Sequence, residues 1–249
     1  VLQVAYTESL ALLLLGSALW LLIRRRWLLA AAVALLTGLA RPIALPLGLV
    51  ALVAVVHRWR SPGADPVGRR EAASMVAAVV ACGVSGLLWP ALAWIGTGRA
   101  DAYPSTMAAW RAGEPVIPFV PTLEVARLVL GDTRGPWLLA AGAILLLLAI
   151  LGPWAAALGV ELRAWSLAYP LYLAAALDPW TSIYRYLLLL FPVFVVAVGA
   201  GWSTGADRGP QASWLLVVRT LVLTGLFLGW QVWWTWELFM FVPPRDNPP

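Results

Sequence analysis

The sequence predicts an all-α protein: a polytopic transmembrane helical bundle of about seven to eight membrane helices, some short or broken. Three observations carry that expectation. Hydrophobic residues make up 62% of the chain and charged ones 12%, about half the charged share usual in soluble domains. Several apolar runs exceed the ~18 residues a helix needs to cross the hydrocarbon core. The basic residues, all arginine, sit mostly in short connections between those runs, as the positive-inside pattern requires.

The first span covers about residues 6–23 and ends in Arg24-Arg25-Arg26. The next apolar stretch, 27–56, is cut by Arg41-Pro42. Proline breaks the helical ladder and restricts the residue before it, so two short helices flank the break. A basic loop, HRWRSPGADPVGRRE (57–71), leads to a span over about 72–95. Segment 96–135 is rich in Pro, Gly and charge and reads as a loop holding one or two short helices. Later spans are expected at 136–158, at 164–177 (short, stopped by Asp178-Pro179), at 183–202 and at 214–236. The last has a Trp-rich end suited to an interfacial aromatic belt. The tail VPPRDNPP reads as flexible. No repeat and no soluble domain is visible, so residues 1–249 read as one transmembrane domain.

Orientation follows the arginines. Arg24 to Arg26, and Arg58, Arg60, Arg69 and Arg70, mark the cytoplasmic side. The 27–56 stretch is then a hairpin whose Arg41-Pro42 tip points outward. Alternation places loop 96–135 outside, together with Tyr6, Glu8, Asp178 and Arg185. The outer loop also carries arginines, balanced by four acids. The polar groups most costly to a membrane protein thus gather at one boundary.

Each of those groups has two readings. Arg185, in SIYRYLLLLFPV, lies about one turn from the outer end of its span. It is either a snorkelling arginine steadied by Tyr184 and Tyr186, or a guanidinium gripping a lipid phosphate through a two-point fork. Arg41 is either a loop arginine at the interface or a second phosphate ligand. Glu8 either complements the helix dipole or sets a carboxylate, beside Tyr6, at a cavity mouth to bind a sugar hydroxyl. The loop stretch GRADAYPSTMAAWRAGEP (98–115) mixes Asp101, Tyr103, Trp110, Arg111 and Glu114, as carbohydrate sites and plain interfacial helices both do. Asp101 is its candidate for acid–base work. Asp178 is more simply a turn residue.

Several classes lack support. The net charge of +5 is distributed between spans, so a nucleic-acid partner is not indicated. With a single histidine, His57, the sequence points to no metal site. Cys82, alone in an apolar run, reads as a small buried hydrophobe. There is no P-loop, Rossmann fingerprint or serine elbow. An enzyme that draws on an activated lipid needs none of these.

Four pieces in order, AYTESLALLL (5–14), LLTGLARPIAL (35–45), GRADAYPSTMAAW (98–110) and IYRYLLLLFPVF (183–194), resemble the PIG-V-like membrane mannosyltransferases of the GT-C glycosyltransferase class. The resemblance implies a GT-C-like bundle in the plasma membrane, multi-pass, with its active face extracytoplasmic. It implies transfer of mannose from a polyprenyl-phosphate carrier to a lipid-linked or protein-linked glycan acceptor, with inversion. No cofactor or metal is implied beyond the polyprenyl-phosphate sugar donor. Arg185 and Arg41 would bind the carrier phosphate, and Glu8, Tyr6, Tyr103 and Tyr184 would line the sugar or acceptor cavity. The family's acidic motif follows an earlier span, and no residue here matches it. The catalytic base is therefore unassigned: either an N-terminal part of the family's fold is expected ahead of Val1, or the chain is a relative without that activity. Pro104 and Ser105 also depart from the family pattern. The Arg, Ala, Leu, Gly and Pro bias suggests an actinobacterial source. Two other classes stay open: a lipid or solute transporter, which usually has paired helix breaks, and a non-catalytic membrane subunit that binds partners through its Trp-rich last span.

Overall fold

The structure, a computed structural model, describes residues 7–41, 43–61, 65–110, 117–176, 186–199 and 210–239. All the elements among them are helical. ESLALLLLGSALWLLI contains no proline and forms α1 (Glu8–Ile23). Its end reverses the chain sharply. Arg25 adopts φ 56°, its N–H donates to the Leu22 carbonyl at 2.9 Å, and the Arg26 N–H donates to Leu21 at 2.8 Å. That pair of bonds is the Schellman closure, which normally places glycine where Arg25 stands. The chain returns through α2 (Trp27–Ala40), which ends on an extended Arg41 at φ −158°, ψ 146°. A residue before proline is held to that region. Next comes α3 (Ala44–Arg60), with Pro46 in its first turn, where no N–H is needed.

Helix α4 (Arg69–Ser85) and helix α5 (Leu88–Thr97) replace the single span expected over 72–95, and they meet at a bend of 51°. Gly86 and Leu87 form the break, and the Leu87 N–H turns back to Val84 at 2.9 Å. Segment 96–135 contains α6 (Ala102–Trp110) and α7 (Val120–Leu130). Helix α8 (Arg134–Leu151) ends at Gly152-Pro153, short of the expected 158, and a 3-10 turn over Pro153–Leu158 follows. Helix α9 (Gly159–Ala176) begins ahead of the expected 164. Arg163 braces that corner through the carbonyls of Ala155 and Gly152, both at 3.0 Å. A 3-10 turn at Leu188–Leu190, α10 (Phe191–Val198) and α11 (Pro210–Phe239) complete the described elements.

Helices α1 to α4 and α9 share one core, built on Leu15, Leu19, Leu47, Val50, Met75 and Trp165. The α2–α4 seam is made of small residues. Ala30 and Ala34 meet Ala78 and Cys82, and Gly38 lies against the Ser85 backbone. Small side chains let helix backbones approach closely where apolar burial alone cannot drive association. Gly135 makes a similar contact with the Ala126 carbonyl, joining α8 to α7.

The outer helices differ. Ile144, Leu145 and Leu148 of α8, and Leu221, Leu226 and Leu228 of α11, are exposed. Helix α8 and the Trp214–Trp233 part of α11 are long and apolar enough to cross a membrane, and the bent α4–α5 pair supplies a third crossing if it acts as one span.

Candidate functional site

The break after α2 positions the first functional group. Arg41 cannot continue its helix, so its side chain leaves the end of α2 toward the start of α1. There its Nη2 lies 3.1 Å from Oε1 of Glu8, whose side chain is 1% exposed. Tyr186 offers its ring face to the same guanidinium, 4.6 Å from centroid to Cζ. Cation–π contacts are worth about 2 kcal/mol when desolvated. Nη1 of Arg41 is buried and has no hydrogen-bond acceptor among the described residues. The arginine therefore uses one point of its fork on Glu8 and keeps donor capacity in reserve.

Helix α9 supplies the floor. Tyr169 is fully buried and stacks on Trp165 at 4.8 Å and 12°. The Trp165 indole donates to the Leu189 carbonyl at 2.7 Å, which fixes α9 against the turn that carries Tyr186. The Tyr169 hydroxyl is buried and has no partner among the described residues. It lies in electrostatic range of Arg41, Glu8, Tyr172 and Tyr186. Tyr172, half-buried, lies in the same range of Tyr103.

An apolar groove of about 770 Å³ lies between α7, α8, α9 and residues 187–190. Leu139, Leu146, Leu167 and Leu171 line it, with Thr122 as its polar exception. Pro170 and Leu187 also line it, and they are the chain neighbours of Tyr169 and Tyr186. On α9 the groove takes Leu167, Pro170, Leu171 and Ala174, whereas Trp165, Tyr169 and Tyr172 fall on the opposite side of the same helix, so the groove and the Arg41 cluster lie on different faces of α9. The groove's α7 wall is tied to α9 because the Ala174 carbonyl, free at the helix end, accepts from the Phe119 N–H at 3.1 Å and the Thr122 hydroxyl at 3.3 Å.

Of the residues expected from sequence, Arg41 and Glu8 are brought into contact, and Tyr103 lies within electrostatic range of Tyr172. Asp101 stands apart. Its side chain is exposed and is held by Arg99 at 2.9 Å and by the Ser105 hydroxyl at 3.0 Å. Those bonds hold its carboxyl down at about 2. Tyr6, Tyr184, Arg185, Asp178, Arg111 and Glu114 lie outside the described residues. Tyr169, Tyr172 and Trp165 were not singled out from sequence. The available signal was two tyrosines flanking a proline, AYPLY, in an otherwise apolar helix. Among the described residues, no three of His, Cys, Asp and Glu gather into a metal-binding group. No family model, curated protein or solved structure matches the chain.

Proposed function

We propose that this chain is an integral-membrane glycosyltransferase, of the PIG-V-like kind its motifs resemble, that takes a sugar from a polyprenyl-phosphate carrier. The observation that carries the reading is a buried guanidinium with an unused donor, in a chain that also holds a large apolar groove on another face of α9. A lipid phosphate supplies an anion for Arg41 and a hydrocarbon chain for apolar surface. Breaking the bond between sugar and carrier leaves the electron pair on the phosphate, and a fixed cation stabilises that charge as it develops. Glu8 orients the guanidinium, Tyr186 covers it, and the Tyr169 hydroxyl is a spare donor for phosphate or sugar. Arg185, the chain neighbour of Tyr186, is a second cation for the same phosphate. The acceptor hydroxyl loses its proton to a base that is unassigned. Mannose as the sugar, a lipid-linked or protein-linked acceptor, and an extracytoplasmic active face on a bundle of about seven to eight spans follow the resemblance and the arginine distribution.

The test is transfer from labelled polyprenyl-phosphate mannose in membranes holding the full-length protein, with Arg41→Ala and Arg185→Ala alongside. Collapse of transfer with protein levels maintained supports the phosphate roles. No transfer by the intact protein, while an active relative works in parallel, overturns the enzyme reading.

One observation favours a transporter as the second reading. The α4–α5 bend lies against the Arg41 break, since the Trp89 indole of α5 donates to the Leu39 carbonyl at 3.0 Å. Neighbouring broken helices are a transporter feature. Lipid or solute flux into proteoliposomes without sugar transfer would select it.

A further inference from the structure

The far ends of α1 and α2 hold a second polar site. Helix α1 has sixteen residues and is about 24 Å long, which separates this site from the Arg41 cluster. The last turn of α1, the start of α2, the last turns of α3 and the first turn of α9 enclose a cavity of about 200 Å³. Arg25, Trp27, His57, Arg58 and Glu161 line it over an apolar floor of Leu22 and Ala54. That volume holds several waters or one small headgroup, since a water takes about 30 Å³ in the liquid.

The charges in this wall are not spent on each other. Arg58 is committed elsewhere, with two bonds to Glu71 at 2.8 and 3.0 Å and one to the Asp65 carbonyl at 3.0 Å. Arg25 and Glu161 line the same cavity, yet among the described residues neither makes an ion pair or a side-chain hydrogen bond. Trp27 is 4% exposed and its indole N–H has no acceptor among the described residues. The backbone holds Arg25 in place at φ 56°, a left-handed position that glycine fills more easily. A cavity with an unpaired cation, an unpaired anion and an orphan donor fits a ligand that carries both signs.

We propose that this cavity binds a phosphate–amine zwitterion, the headgroup chemistry of an aminophospholipid, with the phosphate on Arg25 and the ammonium on Glu161. Exposed Trp20 and Ile23, on the last turn of α1 next to the cavity, offer an apolar surface for the acyl chains. Arg24, Arg26 and Arg60 ring the same end and attract phosphate headgroups by charge. A plain anion would meet the Glu161 carboxylate unfavourably, which is why the amine belongs to the ligand. The proposal rests on the membrane reading and is independent of any transfer activity.

The test measures thermal unfolding of the full chain in nanodiscs of phosphatidylcholine alone, and with added phosphatidylethanolamine or phosphatidylglycerol. Soluble phosphoethanolamine is added to the phosphatidylcholine discs as a further arm. The expected result is a rise in Tm with phosphatidylethanolamine that exceeds any rise with phosphatidylglycerol. Glu161→Gln should lose that preference and Arg25→Gly should lose the rise. Arg25→Gly suits the left-handed backbone, so it is the variant least prone to misfold. Equal protection by soluble phosphoethanolamine supports the pocket and makes the free compound its ligand. No rise with either form, a preference for phosphatidylglycerol, or a rise unchanged in both variants overturns the proposal.

Discussion

The Glu8 carboxylate, in the first turn of α1, lies 3.1 Å from the Arg41 guanidinium that leaves the end of α2. Both groups are withdrawn from solvent, and burying such a pair costs several kcal/mol per ion before attraction offsets it. Removing either partner takes a buried counter-charge from the other. Arg41→Ala and Glu8→Ala should each destabilise the chain by about 3–5 kcal/mol, whereas Arg41→Met combined with Glu8→Leu should recover much of that loss. Unfolding in detergent micelles measures it. Single variants no worse than the double would show that the pair is not coupled. If the cluster serves a ligand, the double variant folds and does not function.

Gly38 separates packing from propensity. A Cβ there would lie 2.6 Å from the Ser85 Cβ and press on the Ser85 carbonyl. Gly38→Ala should therefore cost about 1–3 kcal/mol by overpacking the α2–α4 seam. Gly16, inside α1, has nothing within 4 Å of an added Cβ. Gly16→Ala should leave stability unchanged or raise it by about 0.5–1 kcal/mol, because helix entropy is all it alters. The two Tm values, measured side by side, should move in opposite directions or differ clearly in size.

These two glycines also show what sequence patterns reveal. Arg41-Pro42 stands out because a charge and a helix breaker interrupt an apolar run, and the break is where it was expected. The bend between α4 and α5 does not stand out, since GVSGLLWP has no proline at the break and its glycines look like those of any membrane helix. In sequence Arg25 shows only its charge, because a Schellman turn is normally announced by glycine. Glu8 and Arg41 could be assigned to one boundary by alternation of spans. Their contact depends on how α1 and α2 pack, which one chain's periodicity does not encode. Tyr169 and Tyr172 do not stand out, because tyrosine in an apolar helix reads as core or belt until its hydroxyl is placed.

Asp101 tests the acid–base expectation. Arg99 and Ser105 hold its carboxyl at about 2, below the usual value of 3.8. A depressed carboxylate adds stability that is present above its unfolded value and lost as the pH falls through the folded one. Any contribution to α6 should therefore fade between about pH 4 and 2, and a carbon-13 titration of Asp101 should place its midpoint near 2. So acidic a carboxyl is a poor proton acceptor at neutral pH. Asp101→Asn should leave sugar transfer within a few-fold of normal. A loss of about a hundredfold or more would make it the base after all.

Arg58 closes the connection between α3 and α4 by gripping both oxygens of Glu71 and the carbonyl of Asp65. Lysine can carry the charge but not the fork. Arg58→Lys should cost about 1–3 kcal/mol and make residues 61–68 more sensitive to limited proteolysis, while Arg60→Lys nearby should do neither. Equal cleavage of the two variants would show that charge alone holds the loop.

Tyr169 gives the sharpest division between structure and function. Its ring is stacked on Trp165 and its hydroxyl is buried with no partner among the described residues. An unmet buried hydroxyl contributes nothing to the fold and carries a desolvation cost. Tyr169→Phe keeps the stack and removes that cost, so Tm should hold or rise, by about 1 kcal/mol of stability at most. A core tyrosine with no further role would show that and nothing else. A hydroxyl kept for a ligand predicts a second effect in the same variant: weaker binding or transfer of the polyprenyl-phosphate sugar, with KM raised or kcat lowered while the protein is as stable as before. Unchanged kinetics would assign Tyr169 to packing and leave Arg41 as the hydrogen-bond donor to the phosphate.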